Sequence, residues 1–188
     1  MKQETSIKKS MIRPLLLLMA AVLAFAFSGC SGKDARTQVR DDLESMRYVE
    51  LDPDVEAELE KTLTDSGRDY FEMFLAKAGE FEYEIKGSDD SGVTVIITTY
   101  DFASEYLRSW SEFLEKSDPD NYNETELYEN LFRNLSNVSD KSYKTQVVIG
   151  YTRNEDGTVV TDAKKNPELR NAILGGMLNE IAGLAEVS

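Results

Sequence analysis

Residues 81–99 read FEYEIKGSDDSGVTVIITT, and the period of that stretch decides the fold class. Phe81, Tyr83 and Ile85 alternate with Glu82, Glu84 and Lys86. A period of two puts apolar and charged side chains on opposite faces of a strand. Gly87 to Gly92 is small and polar, which reads as a turn. Val93 to Thr99 is β-branched throughout, and its apolar residues fall on both faces. The stretch predicts a hairpin whose second strand is interior to a sheet, with partial cover on each side.

On either side of the hairpin the period becomes helical. Upstream, Val39, Leu43 and Met46 predict a helix over 35–47. Pro53 opens a second, over 54–78, with Val55, Leu59, Leu63, Tyr70, Phe71, Phe74, Leu75 and Ala78 on its stripe. Ser66-Gly67 predicts a kink or break there. Downstream, Asp101 is a helix cap, and Phe102, Tyr106, Leu107, Trp110, Phe113 and Leu114 mark a helix to Lys116. Asn123 and Glu126 resemble a capping box ahead of Leu127, Tyr128, Leu131, Phe132 and Leu135.

Alternation returns over 142–152, an Asp156-Gly157 turn follows, and Thr158–Thr161 runs back. Asn166 and Pro167 open a closing helix marked by Leu169, Ile173, Leu174, Met177, Leu178, Ile181 and Leu184, with Gly175-Gly176 inside it. Hairpins mixed with helices predict an α+β domain built on an antiparallel sheet. No second domain and no repeat stands out.

Residues 1–29 differ in character from all of this. Lys8, Lys9 and Arg13 precede Pro14–Phe27, fourteen residues without a charge. That is the layout of a secretory signal, and the run is shorter than the roughly 20 residues of a membrane-spanning helix. Lys2, Lys8, Lys9 and Arg13 against Glu4 give this segment +3, which leaves −17 for the remainder of a chain that totals −14. A body that acidic repels phosphate backbones and anionic lipid headgroups, which argues against nucleic acid as a partner and against electrostatic binding of headgroups.

The chain has one cysteine and no histidine. A lone Cys excludes an intramolecular disulfide. Without His, Ser-His-Asp triads, Cys-His dyads and most zinc sites are excluded. No catalytic residue, cofactor or metal is expected.

Phe27-Ser28-Gly29-Cys30 resembles the lipobox of bacterial lipoproteins, with small residues before the Cys and Phe27 where Leu is usual. The resemblance implies cleavage between Gly29 and Cys30 and a diacylglyceryl group on the Cys30 thiol. It divides the chain into a signal over 1–29, a lipidated tether over 30–34 and one domain over 35–188, held at the extracytoplasmic face of the cell membrane. Two acyl chains hold stably where one holds only marginally. The bilayer is thus the first expected partner, with an envelope protein or a small apolar ligand beyond it. Residues 81–102 and Asn171–Gly176 are similar to uncharacterised lipoproteins of Gram-positive bacteria. That likeness implies a cystatin-like fold of the nuclear-transport-factor-2 kind, a curved sheet wrapped around helices as a cone. The usual Trp of the last strand is replaced by Val159 and Val160. The family brings no activity.

Four constellations have both a functional and a plainer reading. Asp118, Asp120, Asn121, Asn123 and Glu129 resemble a calcium loop, although Tyr122 and Asn123 depart from the pattern; a solvated capping loop explains them as well. Tyr100 and Asp101 can be a proton-transfer pair at the mouth of a pocket, or a strand end and a helix cap. The aromatic residues Phe71, Phe74, Tyr106, Trp110, Phe113, Tyr128 and Phe132 can line a ligand pocket, or form the core. Gly175-Gly176 can admit a ligand to the backbone, or allow close packing. A non-catalytic binding module is the leading expectation. A small enzyme using carboxylate and Tyr chemistry, and a regulatory or structural partner in an envelope complex, are the alternatives.

Overall fold

A computed structural model describes residues 34–48, 53–116 and 123–186. Among them the helices are α1 (Ala35–Ser45), α2 (Pro53–Thr62), α3 (Asp65–Ala78), α4 (Phe102–Lys116), α5 (Glu124–Asn137), α6 (Pro167–Ile173) and α7 (Met177–Glu186). The strands are β1 (Glu82–Asp89), β2 (Gly92–Thr99), β3 (Tyr143–Ile149), β4 (Tyr151–Arg153) and β5 (Val159–Thr161), with a 3₁₀ turn at Ala163–Lys165. The class is α+β, as expected, in a single domain with an antiparallel sheet.

The main sheet has the order β1-β2-β3. Glu82 pairs with Thr98 and Asp89 with Gly92, with a bulge between Ile85 and Gly87. Val93 pairs with Ile149 and Thr99 with Tyr143, so β2 is the interior strand. Val93, Val95 and Ile97 are fully buried under α1 and α6, with Val39, Leu43, Leu169 and Ala172. On the other face Thr94, Ile96 and Thr98 are half-buried among their strand neighbours.

The aromatic residues pack elsewhere. Beyond one end of the strands, α2 to α5 and α7 enclose Phe71, Phe74, Phe102, Tyr106, Tyr128 and Phe132. The Phe71 and Phe132 rings meet edge to face at 4.9 Å, and Phe74 and Phe102 do so at 5.2 Å. The molecule thus has a sheet layer and a helical layer, each with its own core.

Four boundaries differ from those read in the sequence. The turn read over Gly87–Gly92 narrows to Asp90-Ser91, because Gly87, Ser88 and Asp89 still pair with Thr94, Val93 and Gly92. The helix expected over 54–78 is two helices, and the break falls at Leu63-Thr64 rather than at Gly67. The Thr64 hydroxyl accepts the Gly67 N–H at 2.9 Å and caps α3, so Gly67 lies in a first helical turn, where it is tolerated. The closing helix is also two, because Gly175 (φ +55°) and Gly176 (φ +83°) adopt left-handed conformations that end α6. The strand expected over 142–152 divides at Gly150: β3 belongs to the main sheet, and β4 pairs with β5, Tyr151 facing Thr161. Gly150 donates its N–H to Asp162 Oδ1 at 2.9 Å instead of continuing the ladder.

Candidate functional site

The sequence candidates nearest to chemistry, Tyr100 and Asp101, lie where the two layers join. Among the stretches described throughout, four cross this seam: 78–81, 99–102, 137–143 and 173–177. Asp101 donates its N–H to the Asp140 carbonyl at 2.9 Å, and Ala103 donates to the Gly175 carbonyl at 3.3 Å. Gly175 is needed here because an added Cβ would lie 2.1 Å from the Tyr100 carbonyl oxygen. Gly175 therefore admits the chain's own backbone, and Gly176 admits the Tyr143 ring.

The two side chains diverge. The Asp101 carboxylate accepts the Ser104 N–H at 3.0 Å and the Ser104 hydroxyl at 2.7 Å, the work of a helix cap. The Tyr100 hydroxyl donates to Glu80 Oε2 at 2.5 Å. That hydrogen bond, then burial and the nearby negative charge of Glu80 and Glu82, hold the phenol above its ordinary pKa. The Lys77 ammonium stands 4.6 Å and the Lys141 ammonium 5.6 Å from the centre of the Tyr100 ring. Lys141 also bonds Glu82 at 2.7 Å, which holds that carboxyl below its usual range. Tyr100 is thus a protonated phenol inside a charged cluster on the seam, and Asp101 is not its proton partner.

The aromatic residues serve as core: Phe74 and Phe132 are fully buried, and their ring contacts are with one another and with Phe71 and Phe102. Two polar atoms there have no hydrogen-bond partner, Tyr106 Oη and Trp110 Nε1, one turn apart on α4. Burial pushes the Tyr106 phenol up to about 12.

The calcium-loop residues Asp118, Asp120 and Asn121 lie outside the described residues, as do Gly29 and Cys30. Of that loop's described members, Asn123 caps α5 by accepting from the Thr125 and Glu126 N–H groups. Glu129 accepts the Thr64 hydroxyl at 2.8 Å. Among the described residues no three Asp, Glu, His or Cys side chains cluster as metal ligands. No helix of the described residues is long and apolar enough to cross a membrane.

Sequence reasoning missed the buried carboxylate. Asp42, 6% exposed, accepts from Gln38 Nε2 at 3.0 Å and from the Thr161 hydroxyl. These bonds dock α1 on β5. The one local signal was a Gln and an Asp four residues apart; Thr161 lies 119 positions away in sequence. A carboxylate so bound is a strut, with no pairing to a Tyr or a Lys in its bonds.

No protein-family model matches the chain, and neither a curated protein nor a solved structure does.

Proposed function

We propose that this chain is a bacterial lipoprotein, held at the extracytoplasmic face of the cell membrane through a diacylglyceryl thioether on Cys30, and that its α+β domain is a non-catalytic binding or interaction module. The observation that carries the reading is one of position. The single cysteine of the chain follows fourteen uncharged residues and the small pair Ser28-Gly29, with Lys8, Lys9 and Arg13 ahead of them. The first described helix is capped by Asp34, four residues beyond Cys30, so signal and folded body do not overlap. Two acyl chains supply stable attachment, at about 0.8 kcal/mol per buried methylene, with no apolar membrane face needed on the domain. The Asp101 carboxylate caps a helix and the Asp42 carboxylate is a strut, so neither supplies the acid of the carboxylate–Tyr alternative.

The test is mass and fractionation of the full chain expressed in a bacterium. The expected product begins at Cys30, carries the mass of a diacylglyceryl group, incorporates labelled palmitate and sediments with membranes. Cys30→Ser should lose the label and the added mass. A Cys30→Ser protein equally membrane-bound and unchanged in mass overturns the reading.

A further inference from the structure

The lipoprotein reading, taken as a premise, combines with the direction of the strands to orient the molecule. β1 leaves the seam at Glu82 and ends at the Asp89–Gly92 turn, and β3 runs from Tyr143 at the seam to Ile149 beside that turn. The β4–β5 hairpin lies at this far end, where the Tyr151 hydroxyl reaches the Asp89 carbonyl. α1 spans the same axis in the other direction. Its C-terminal side is fixed at the seam, where Arg47 Nη1 donates to the Gly79 and Phe81 carbonyls at 3.2 and 2.7 Å. Midway, Asp42 holds Thr161. Its first turn, capped by Asp34, comes within the electrostatic reach of Arg153 on β4. The N-terminus of α1 is therefore at the end of the sheet layer opposite the helices.

We infer that this far end, made by the N-terminus of α1 and the β4–β5 hairpin, faces the lipid headgroups of the bilayer, and that the helical layer projects away from the membrane. Cys30 and Asp34 are four residues apart, a span of at most about 14 Å fully extended. The length of α1, eleven residues or about 16 Å, separates Asp34 from the seam.

Charge favours the same orientation. The described segments building the helical layer (53–79, 101–116, 123–137 and 177–186) carry 16 acidic and 6 basic residues, whereas those building the sheet layer (34–48, 80–100 and 138–176) carry 14 and 10. An anionic leaflet repels the first far more than the second, and screening over about 8 Å removes that repulsion once the layer stands clear. The far end itself carries Asp34, Asp89, Asp90, Glu155 and Asp156 against the exposed Arg36 and Arg153, so charge bears on which layer stands clear, and the tether on which end faces the bilayer.

The experiment uses the full lipidated chain, whose Cys30 thiol is blocked by its acyl group. Thr152→Cys on β4 and Met73→Cys on α3, both exposed positions, are each labelled with a fluorophore. The proteins are placed in phosphatidylcholine vesicles containing some phosphatidylglycerol and a lipid with a nitroxide on its headgroup. The label at 152 should be quenched several-fold more strongly than that at 73. Equal or reversed quenching, in protein whose mass shows the diacylglyceryl group, overturns the orientation and leaves the lipoprotein reading standing. Protein that lacks that mass and stays off the vesicles overturns both. A long Gly/Ser insertion after Ser31 should erase the difference, and a difference that survives it overturns the tether as the cause.

Discussion

The helical layer is closed by rings and the sheet layer by branched aliphatic side chains. Phe71, Phe74, Phe102 and Phe132 interlock through edge-on and tilted contacts, and two buried polar atoms of that layer, Tyr106 Oη and Trp110 Nε1, have no partner. In the sheet layer Val93, Val95, Ile97, Val147 and Ile149 pack under small helices; of its buried polar side chains Gln38, Asp42 and Asn166 are bonded, whereas Thr99 Oγ1 has no partner, nor has Nε of the half-buried Arg170. The difference follows from geometry. β-branched residues fit the pleated surface of a strand, so the sheet supplies Val and Ile, with Phe81 its one fully buried ring among the described residues, whereas the helices supply the interlocking rings. Short helices such as α6 then need polar struts to fix their position: Asn166 accepts the Leu169 N–H and donates to the Val148 carbonyl, tying α6 to β3.

The most damaging way to probe this division is to empty each core. Phe74→Ala and Phe81→Ala each remove a fully buried ring, and each is expected to lower stability by about 4 kcal/mol. They sit in different clusters, so their costs should add to within about 0.5 kcal/mol in a double-mutant cycle followed by urea unfolding. A larger coupling would mean the two cores act as one.

The seam comes next. Gly175→Ala forces a left-handed alanine against the Tyr100 carbonyl, and we expect a loss of about 3 kcal/mol with one cooperative transition retained. Gly157→Ala, in the β4–β5 turn with nothing near its Cβ, should cost about 1 kcal/mol. A Gly175 variant as mild as the Gly157 variant would show that the layers can shift past each other.

These elements were unequally legible in the sequence. The hairpin at 81–99 could be read because alternation, a polar turn and a β-branched run all point to it. The break at Thr64 was masked by Gly67, the more conspicuous helix breaker, since a hydroxyl cap announces itself only through the N–H it meets. Gly175 and Gly176 stood inside a stripe that continues unbroken from Leu169 to Leu184, and periodicity does not record that the axis turns. Tyr100 and Asp101 are neighbours in sequence and point apart in space. The Asp42–Thr161 bond is a tertiary fact with no local trace. The role proposed for Cys30 rests on sequence alone, because a processing signal would be a linear code.

The unpartnered hydroxyl of Tyr106 gives a test in pH. The fold favours its neutral form, with a pKa of about 12 against the ordinary 10.0. The stability this contributes is intact below pH 10 and is lost as the pH rises from 10 to about 12, by about 2 kcal/mol. Tyr106→Phe should be near neutral at pH 7 and should reduce the alkaline loss, measured by urea midpoints across that range. A cost above about 1 kcal/mol at pH 7 would mean that the hydroxyl has a partner.

The smallest expected effect separates local from layer-wide stability. Thr64, at an exposed position, caps α3 and donates to the half-buried Glu129 on α5, so Thr64→Ala should cost about 1 kcal/mol, and Thr64→Ser should restore most of it. Asn166 does the corresponding work in the sheet layer from a buried position, and its bond to the Val148 carbonyl spans two elements. Asn166→Ala should therefore cost more, about 2 kcal/mol, because the part-buried Val148 carbonyl loses its donor and α6 its cap. Equal costs in thermal melts would mean that water replaces the lost donor at Val148, and that the sheet layer is as open to solvent at that point as the helical layer is at Thr64.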